Sequence, residues 1–130
     1  MSETKNLPLL ERVKVEGNAL RGTIAESLRD ELTGAVKEED TLLMKFHGMY
    51  QQDDRDRREE RAKKKLERLY SFMIRLRMPG GILTSEQWLA LNDIAGKDST
   101  NELKITNRQT IQLHGVLKSR LKPTHQIFNS

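Results

Sequence analysis

Cysteine is absent from this sequence of 130 residues. The absence excludes disulfide bonds, cysteine-ligated zinc and any iron–sulfur cluster ligated by this chain. Aromatic residues are also scarce, at 5% of the sequence, and hydrophobic residues make up 35% against 32% for charged residues. Because a core needs large apolar side chains, we expect part of the chain to be extended or to need a partner surface.

Long apolar runs are missing as well. Pro8 and several charged residues interrupt the N-terminal segment, so it does not form a signal peptide, and no stretch is long enough for a membrane span. We therefore expect a cytoplasmic protein without membrane contact. The 23 Lys and Arg residues exceed the 19 Asp and Glu residues, and the resulting charge of +4 favours an anionic partner whose kind the charge does not specify.

The common sequence motifs of enzymes and metal sites are not found. There is no glycine-rich phosphate loop, and the serines lack the surroundings of a nucleophile elbow. The three histidines, His47, His114 and His125, lack the close spacing of a zinc motif. We therefore predict no metal ligands in this chain.

Residues 1–68 are predicted to form a largely irregular N-terminal arm. A four-residue apolar spacing predicts one short helix over residues 19–32, ended by Gly34. The apolar positions of this helix are Leu20, Ile24, Leu28 and Leu32. Residues 41–46 predict a short strand.

A block of charge ends this arm, at residues 53–68, where Ala62 and Leu66 are the only uncharged residues. So polar a segment cannot bury itself, and we interpret it as a solvated helix or a linker. It contains no interleaved aromatic residues, which makes a weak case for nucleic-acid binding.

The clearest patterning lies in residues 69–130, which are predicted to form an α+β, ferredoxin-like half-domain of order β-α-β-β-α. Apolar residues at alternate positions predict a first strand over residues 72–78, which a Pro-Gly-Gly turn stops. Thr84 and Gln87 have the spacing of a capping box that begins a helix, and Gly96 is placed to end it.

Two strands and a second helix complete the predicted half-domain. The first strand covers residues 103–106, and a kink near residues 107–109 separates it from the second. In the second strand, Ile111, Leu113 and Leu117 are expected to face one way and Gln112 and His114 the other. The last helix begins or is interrupted near Pro123.

The polar positions of the three strands are expected to converge on one face of a sheet. These positions are Arg75, Arg77, Lys104, Thr106, Arg108, Gln112 and His114. Guanidinium groups on rigid strands bind carboxylates and other oxyanions well, so this face is suited to a ligand with several negative charges. The alternative is that the face is the solvated side of a one-sided antiparallel sheet, and the pattern alone leaves both open.

Three strings of residues resemble, in order and spacing, successive motifs of the assimilatory sulfite reductase hemoproteins. They are Phe46-His-Gly-Met-Tyr-Gln-Gln-Asp-Asp-Arg-Asp56, Arg75-Leu-Arg-Met-Pro-Gly-Gly81 and Ile105-Thr-Asn-Arg-Gln-Thr-Ile-Gln-Leu-His-Gly115. The first string resembles the bacterial, NADPH-linked type of the family. The resemblance implies the siroheme nitrite/sulfite reductase fold for residues 69–130.

The resemblance also implies an activity and its cofactors. The family reduces sulfite to sulfide by six electrons in sulfate assimilation and cysteine biosynthesis, at a siroheme coupled to a 4Fe–4S cluster. Electrons come from NADPH through a flavoprotein (alpha) subunit. The cluster's cysteine ligands lie further along the family's hemoprotein (beta) subunit. We therefore expect an N-terminal fragment of such a subunit, inactive alone and dependent on the rest of the hemoprotein.

Individual residues take roles from the resemblance. Arg75 is implied to be a catalytic residue that binds sulfite. The residues implied to bind the siroheme periphery are Lys104, Thr106, Asn107, Arg108, Gln112 and His114. Lys104 stands where relatives often have arginine, which keeps the charge but loses a two-point contact. The charge block at residues 53–68 is implied to pass close to the cofactor.

Two other interpretations remain open at this stage. One is a nitrite reductase fragment of the same superfamily. The other is a small basic module that binds an acidic protein or nucleic acid, which rests only on the basic charge and the charge block.

Overall fold

Residues 6–128 are described by the structure, a computed structural model. Their helices and strands follow one another as α1 (Leu9–Glu16), α2 (Ile24–Arg29), α3 (Glu38–Met44), β1 (Met49–Asp53), α4 (Arg58–Lys63), β2 (Tyr70–Arg75), α5 (Ser85–Asp98), β3 (Lys104–Ile105), β4 (Ile111–Val116) and α6 (Lys118–Phe128). Short 3₁₀ turns cover Lys45–His47 and Pro79–Gly81. None of the helices within this part of the chain is long and apolar enough to cross a bilayer.

The four strands form one antiparallel sheet in the order β1-β2-β4-β3. The predicted α+β class and the order β-α-β-β-α are confirmed by β2, α5, β3, β4 and α6. One face of the sheet packs against α5 and α6. The buried cluster contains Val36, Met44, Met49, Phe72, Ile74, Ile94, Ala95, Leu113, Val116 and Leu121. Three of these residues come from the N-terminal arm, and the division of the chain at residue 68 stays a prediction.

The predicted strand over residues 41–46 is wrong, since α3 and a 3₁₀ turn occupy this segment. A short apolar run fits a buried helix as well as a strand, and the acidic first turn of α3 suits a helix N-terminus. Buried Asp40 also fixes this helix against the preceding segment, because its carboxylate accepts hydrogen bonds from the Thr23 N–H and from the hydroxyls of Thr23 and Ser27, at 2.6–2.9 Å. The strand of the arm is β1, which begins three residues after the predicted strand ends.

The helix predicted over residues 19–32 is shortened at both ends to α2. Leu20 has a φ of 67° and belongs to a left-handed turn that also contains Asn18 and Ala19. Leu32, expected on the apolar side of the helix, is 98% exposed. The apolar spacing therefore continues beyond the helix on both sides.

The charge block, interpreted as a solvated helix or a linker over residues 53–68, contains the helix α4 at Arg58–Lys63, which has no buried residue. Its start is fixed by Asp53 of β1, whose carboxylate accepts from Arg58 Nε at 2.9 Å and Nη2 at 2.7 Å. The hydrogen bond from Arg58 lowers the pKa of Asp53, and the same bond raises the pKa of Arg58. After the helix, Glu67 accepts from the Gly34 N–H at 2.9 Å, which lowers the pKa of Glu67. The block is thus tied to the fold at two points.

Helix α5 begins with the predicted capping box. The Gln87 N–H donates to Thr84 Oγ1 at 3.1 Å, and the Thr84 N–H donates to Gln87 Oε1 at 2.9 Å. The expected end at Gly96 is wrong, because the helix continues to Asp98. There the buried Asp98 carboxylate accepts from Arg120 and Thr124 of α6, which fixes the last turn.

Strand boundaries differ from the prediction in β2 and β4. Strand β2 ends at Arg75 rather than at residue 78, since the chain leaves the sheet toward the 3₁₀ turn that starts at Pro79. In β4 the expected inward position of Leu117 is wrong, because Leu117 is 48% exposed and Val116 is buried instead. A bulge in the pairing of β2 with β4 causes this change. Helix α6 begins at Lys118 and continues through Pro123.

Candidate anion-binding site

A row of three side chains crosses the sheet on the face opposite α5 and α6. Arg75 of β2 is paired with Gln112 of β4, and Gln112 is paired with Lys104 of β3. Directly opposed residues in antiparallel strands extend from the same face, with Cβ atoms about 4.5–5.5 Å apart. The structure therefore brings together three of the residues that the sequence predicted to converge. We call them the polar row.

His114 extends the polar row along β4, two residues from Gln112 and thus on the same face. Its Nε2 donates to Gln112 Oε1 across 3.2 Å. Burial lowers the pKa of His114 below its usual value of 6.5, and the positive charge of Lys104 lowers it further. The neutral imidazole is therefore favoured beside the two cations of the row.

Arg75 is only partly exposed and lies over the aromatic ring of Tyr50. Its Cζ is 5.4 Å from the ring centroid, and its Nη1 is 3.5 Å from the Tyr50 hydroxyl oxygen. Its Nε is buried and has no hydrogen-bond partner among residues 6–128. A buried donor left unpaired costs about 1–3 kcal/mol. Met73, on the same face, is also buried, so this part of the face is not a plain solvated surface.

Tyr50 is a residue of this site that the sequence reasoning missed. It lies on β1 opposite Met73, which places its ring on the same face as Arg75. The sequence predicts the arm's strand over residues 41–46 instead, which leaves residue 50 outside any strand. The sequence holds two signals, an aromatic residue within a polar stretch and its place in the string from Phe46 to Asp56, and neither defines a strand face.

Thr106, Asn107 and Arg108 lie in the turn that joins β3 to β4. The Thr106 N–H donates to the Thr110 carbonyl at 3.0 Å, and the Arg108 N–H donates to Thr106 Oγ1 at 3.3 Å. The prediction that Thr106 and Arg108 continue a strand face is wrong, because β3 ends at Ile105. The Asn107 and Arg108 side chains are exposed at this hairpin tip, beyond the polar row.

Arg77 is also outside the polar row, since β2 ends two residues before it and its side chain is exposed. Among residues 6–128, no group of three His, Cys, Asp or Glu side chains is arranged to hold a metal ion. What the face offers instead is cationic and neutral hydrogen-bond donors at fixed spacing. Such donors bind carboxylates and small oxyanions.

Comparisons with known proteins agree with one another. The model of the family described as "Nitrite/Sulfite reductase ferredoxin-like half domain" matches residues 64–130. The "Sulfite reductase [NADPH] hemoprotein beta-component" of Leptospira biflexa is 61% identical over 130 residues, which is all of this chain and 23% of the relative.

Similar proteins with the same name occur in Staphylococcus haemolyticus and Escherichia coli. The first is 57% identical over 125 residues, covering 96% of this chain and 22% of the relative. The second, from strain O1:K1 / APEC, is 53% identical over 121 residues, covering 92% and 21%. The chain therefore spans less than a quarter of the length of these curated relatives.

Proposed function

Because the chain belongs to the nitrite/sulfite reductase ferredoxin-like half-domain family, we propose that it is part of an NADPH-dependent sulfite reductase hemoprotein subunit and supplies one wall of its siroheme and sulfite site. The full subunit is then an oxidoreductase of cytoplasmic sulfate assimilation. Its partners are the remainder of the hemoprotein and a flavoprotein that passes electrons from NADPH. Sulfite is its substrate.

The observation that carries this proposal is the position of Arg75 on the same face of the sheet as Gln112 and Lys104, on three neighbouring strands. A guanidinium on a strand face binds an oxyanion through charge-assisted hydrogen bonds. Siroheme bears several carboxylates, and the donors of this face fit such a ligand. The residues present therefore suit both the cofactor's periphery and the substrate anion.

Each residue of the face has a separate task in this proposal. Arg75 binds the sulfite anion, and Lys104 neutralises a siroheme carboxylate as a point charge. Gln112 and neutral His114 add hydrogen bonds without adding charge. The residues of the hairpin tip bind further carboxylates at the cofactor's edge: Thr106, Asn107 and Arg108. When bound, siroheme with its 4Fe–4S cluster supplies the electron transfer, and the cluster's thiolate ligands lie outside this cysteine-free chain.

The test compares three arginine variants in the full-length hemoprotein subunit. Arg75→Ala should retain siroheme but raise the KM for sulfite by about 10- to 100-fold, because a charge-assisted hydrogen bond contributes roughly 1.5–3 kcal/mol. Arg108→Ala should instead lower the siroheme content per subunit. Arg77→Ala is the matched control, since this arginine is exposed beyond the end of β2.

Unchanged sulfite kinetics in a siroheme-loaded Arg75→Ala variant would contradict the substrate role of Arg75. Normal siroheme content in Arg108→Ala would contradict the cofactor role of the hairpin tip. The same preparations assayed with nitrite decide between the two substrates of the family, because a nitrite reductase has the higher kcat/KM with nitrite.

A further inference from the structure

We propose that Tyr50 is a positioning residue, which holds the Arg75 guanidinium in the orientation that binds the substrate oxyanion. This inference rests on the proposed function and adds a residue to it. Tyr50 itself makes no contact with the anion in this proposal. It acts through the face of its ring and, to a smaller extent, through its hydroxyl group.

The ring contact is the stronger of the two restraints. Arg75 Cζ lies 5.4 Å from the Tyr50 ring centroid, within the range of a cation–π interaction. The hydrogen bond from Nη1 to the Tyr50 oxygen is long, at 3.5 Å, and therefore weak. The aromatic ring, rather than the hydroxyl, is thus expected to fix the plane of the guanidinium.

The contact also decides which nitrogen of the guanidinium can face an anion. Nη1 is turned toward Tyr50, and Nε is buried among protein atoms, so Nη2 is the nitrogen left to donate to an anion. A charged donor of this kind binds an oxygen of an oxyanion such as sulfite. Without the ring, an arginine side chain populates several rotamers and presents Nη2 in this direction less often.

Backbone contacts fix both partners of the pair. The Arg75 N–H donates to the Gly48 carbonyl at 2.8 Å, and Met49, the residue before Tyr50, is buried opposite Ile74. Gly48 has a φ of 78°, and a Cβ at this position would lie 3.1 Å from the Arg75 carbonyl oxygen. A glycine is therefore needed for β1 to start so close to Arg75. Tyr50 follows two residues later, so its position in β1 beside Arg75 is fixed.

The experiment measures the sulfite dissociation constant of the oxidised, full-length hemoprotein by calorimetry without reductant, together with KM and kcat. Tyr50→Leu, which removes the ring, should weaken sulfite binding and raise KM by about three- to ten-fold, with kcat changed less than about two-fold. Tyr50→Phe, which keeps the ring, should stay within about two-fold of the wild type in all three quantities. Gln52→Leu is the matched control, because Gln52 is an exposed residue of the same strand.

A double-mutant cycle separates positioning from a general structural effect. If Tyr50 acts through Arg75, Tyr50→Leu should raise the sulfite dissociation constant by less than about two-fold when Arg75 is already alanine. An equal loss in both backgrounds, or an unchanged dissociation constant in Tyr50→Leu, overturns the positioning role alone. An unchanged dissociation constant in Arg75→Ala overturns the proposed sulfite site and the role of Tyr50 with it. If Tyr50→Leu does not retain siroheme, Tyr50→Gln, which also lacks a ring, replaces it, and normal sulfite binding in that variant overturns the inference.

Discussion

The ion pair between α5 and α6 makes a quantitative prediction, because its two partners differ strongly in burial. The Asp98 side chain is 1% exposed, whereas that of Arg120 is 46% exposed. Asp98 accepts from Arg120 Nε at 2.7 Å and Nη2 at 2.6 Å, and from the Thr124 hydroxyl at 3.0 Å. We expect the two single alanine substitutions to lower the free energy of unfolding by unequal amounts. The larger loss is expected for Arg120, the exposed partner.

Arg120→Ala leaves a buried carboxylate with one neutral hydrogen-bond donor. Removing one partner of a buried pair costs about 3–5 kcal/mol, and we expect about 3 kcal/mol here. Asp98→Ala leaves an arginine that water can solvate, and Thr124 still donates to the Arg120 carbonyl at 2.7 Å. Its cost is the net value of the lost charged hydrogen bonds, less the gain in helix propensity, which gives about 1–2 kcal/mol.

Urea denaturation of the chain, followed by far-ultraviolet circular dichroism, measures both costs. With a slope of about 2 kcal/mol per molar urea, the midpoint should fall by about 1.5 M for Arg120→Ala and by about 0.7 M for Asp98→Ala. Lys122→Ala is the control, because Lys122 is an exposed basic residue of the same helix. A cost for Asp98→Ala that equals or exceeds the cost for Arg120→Ala would refute the argument from burial.

Three further predictions concern single positions. Gly115→Ala should destabilise the fold by about 1–3 kcal/mol in the same assay, because its φ is 73° and the new Cβ would meet Thr100 Cγ2 at 2.5 Å; a neutral result would mean that the bulge relaxes freely. Thr84→Ala should cost about 1 kcal/mol and lower the melting temperature, while Thr84→Ser should retain most of the stability, since the serine hydroxyl can also cap the helix. The pKa of His114 should lie below 6.5 in a nuclear magnetic resonance titration and rise in Lys104→Gln. Because the His114 imidazole has a higher pKa in the unfolded chain than in the folded chain, the unfolded chain binds a proton there at a higher pH. The free energy of unfolding should therefore fall as the pH drops from about 6.5 through the folded pKa. A folded pKa above 6.5 would contradict the burial of the ring.

The half-domain was predictable because its signals are local. Alternating apolar residues define β2 and β4, and the capping box at Thr84 fixes the start of α5. The helix end at Asp98 was not predictable from these signals. It depends on hydrogen bonds from Arg120 and Thr124, which lie more than twenty residues away in sequence.

The N-terminal arm was harder to predict because distant contacts decide its structure. Residues 41–46 carry no pattern that separates a helix from a strand, and the choice is made by burial of Asp40 against the segment before it. Buried Lys118 of α6 likewise donates to the Ala35 carbonyl at 3.1 Å and also to the Asp30 carbonyl. Nothing in the sequence around residue 35 indicates that a lysine more than eighty positions later will bind there.

The candidate site was predictable only where its residues lie within strands. Period-two alternation correctly placed Arg75, Gln112 and Lys104 on one side of their strands. It failed at residues 106–108, where the chain turns, and at Tyr50, whose position depends on how β1 pairs with β2. Alternation predicts the face of a residue within a strand, but it predicts neither the ends of the strand nor its neighbours.

Gly115 shows why unbroken alternation could not have produced both the core and the polar row. Phe72 is paired with Val116, and continued regular pairing would set Arg75 opposite the core residue Leu113. The bulge at Gly115 adds one residue to β4, so that Arg75 is paired with Gln112 instead. Since a shift of one residue moves every side chain to the other face, this glycine lets Val116 stay in the core while Gln112 joins Arg75. The arrangement of donors on the polar row therefore depends on one backbone conformation with a φ of 73°, which a residue with a Cβ adopts only at a cost.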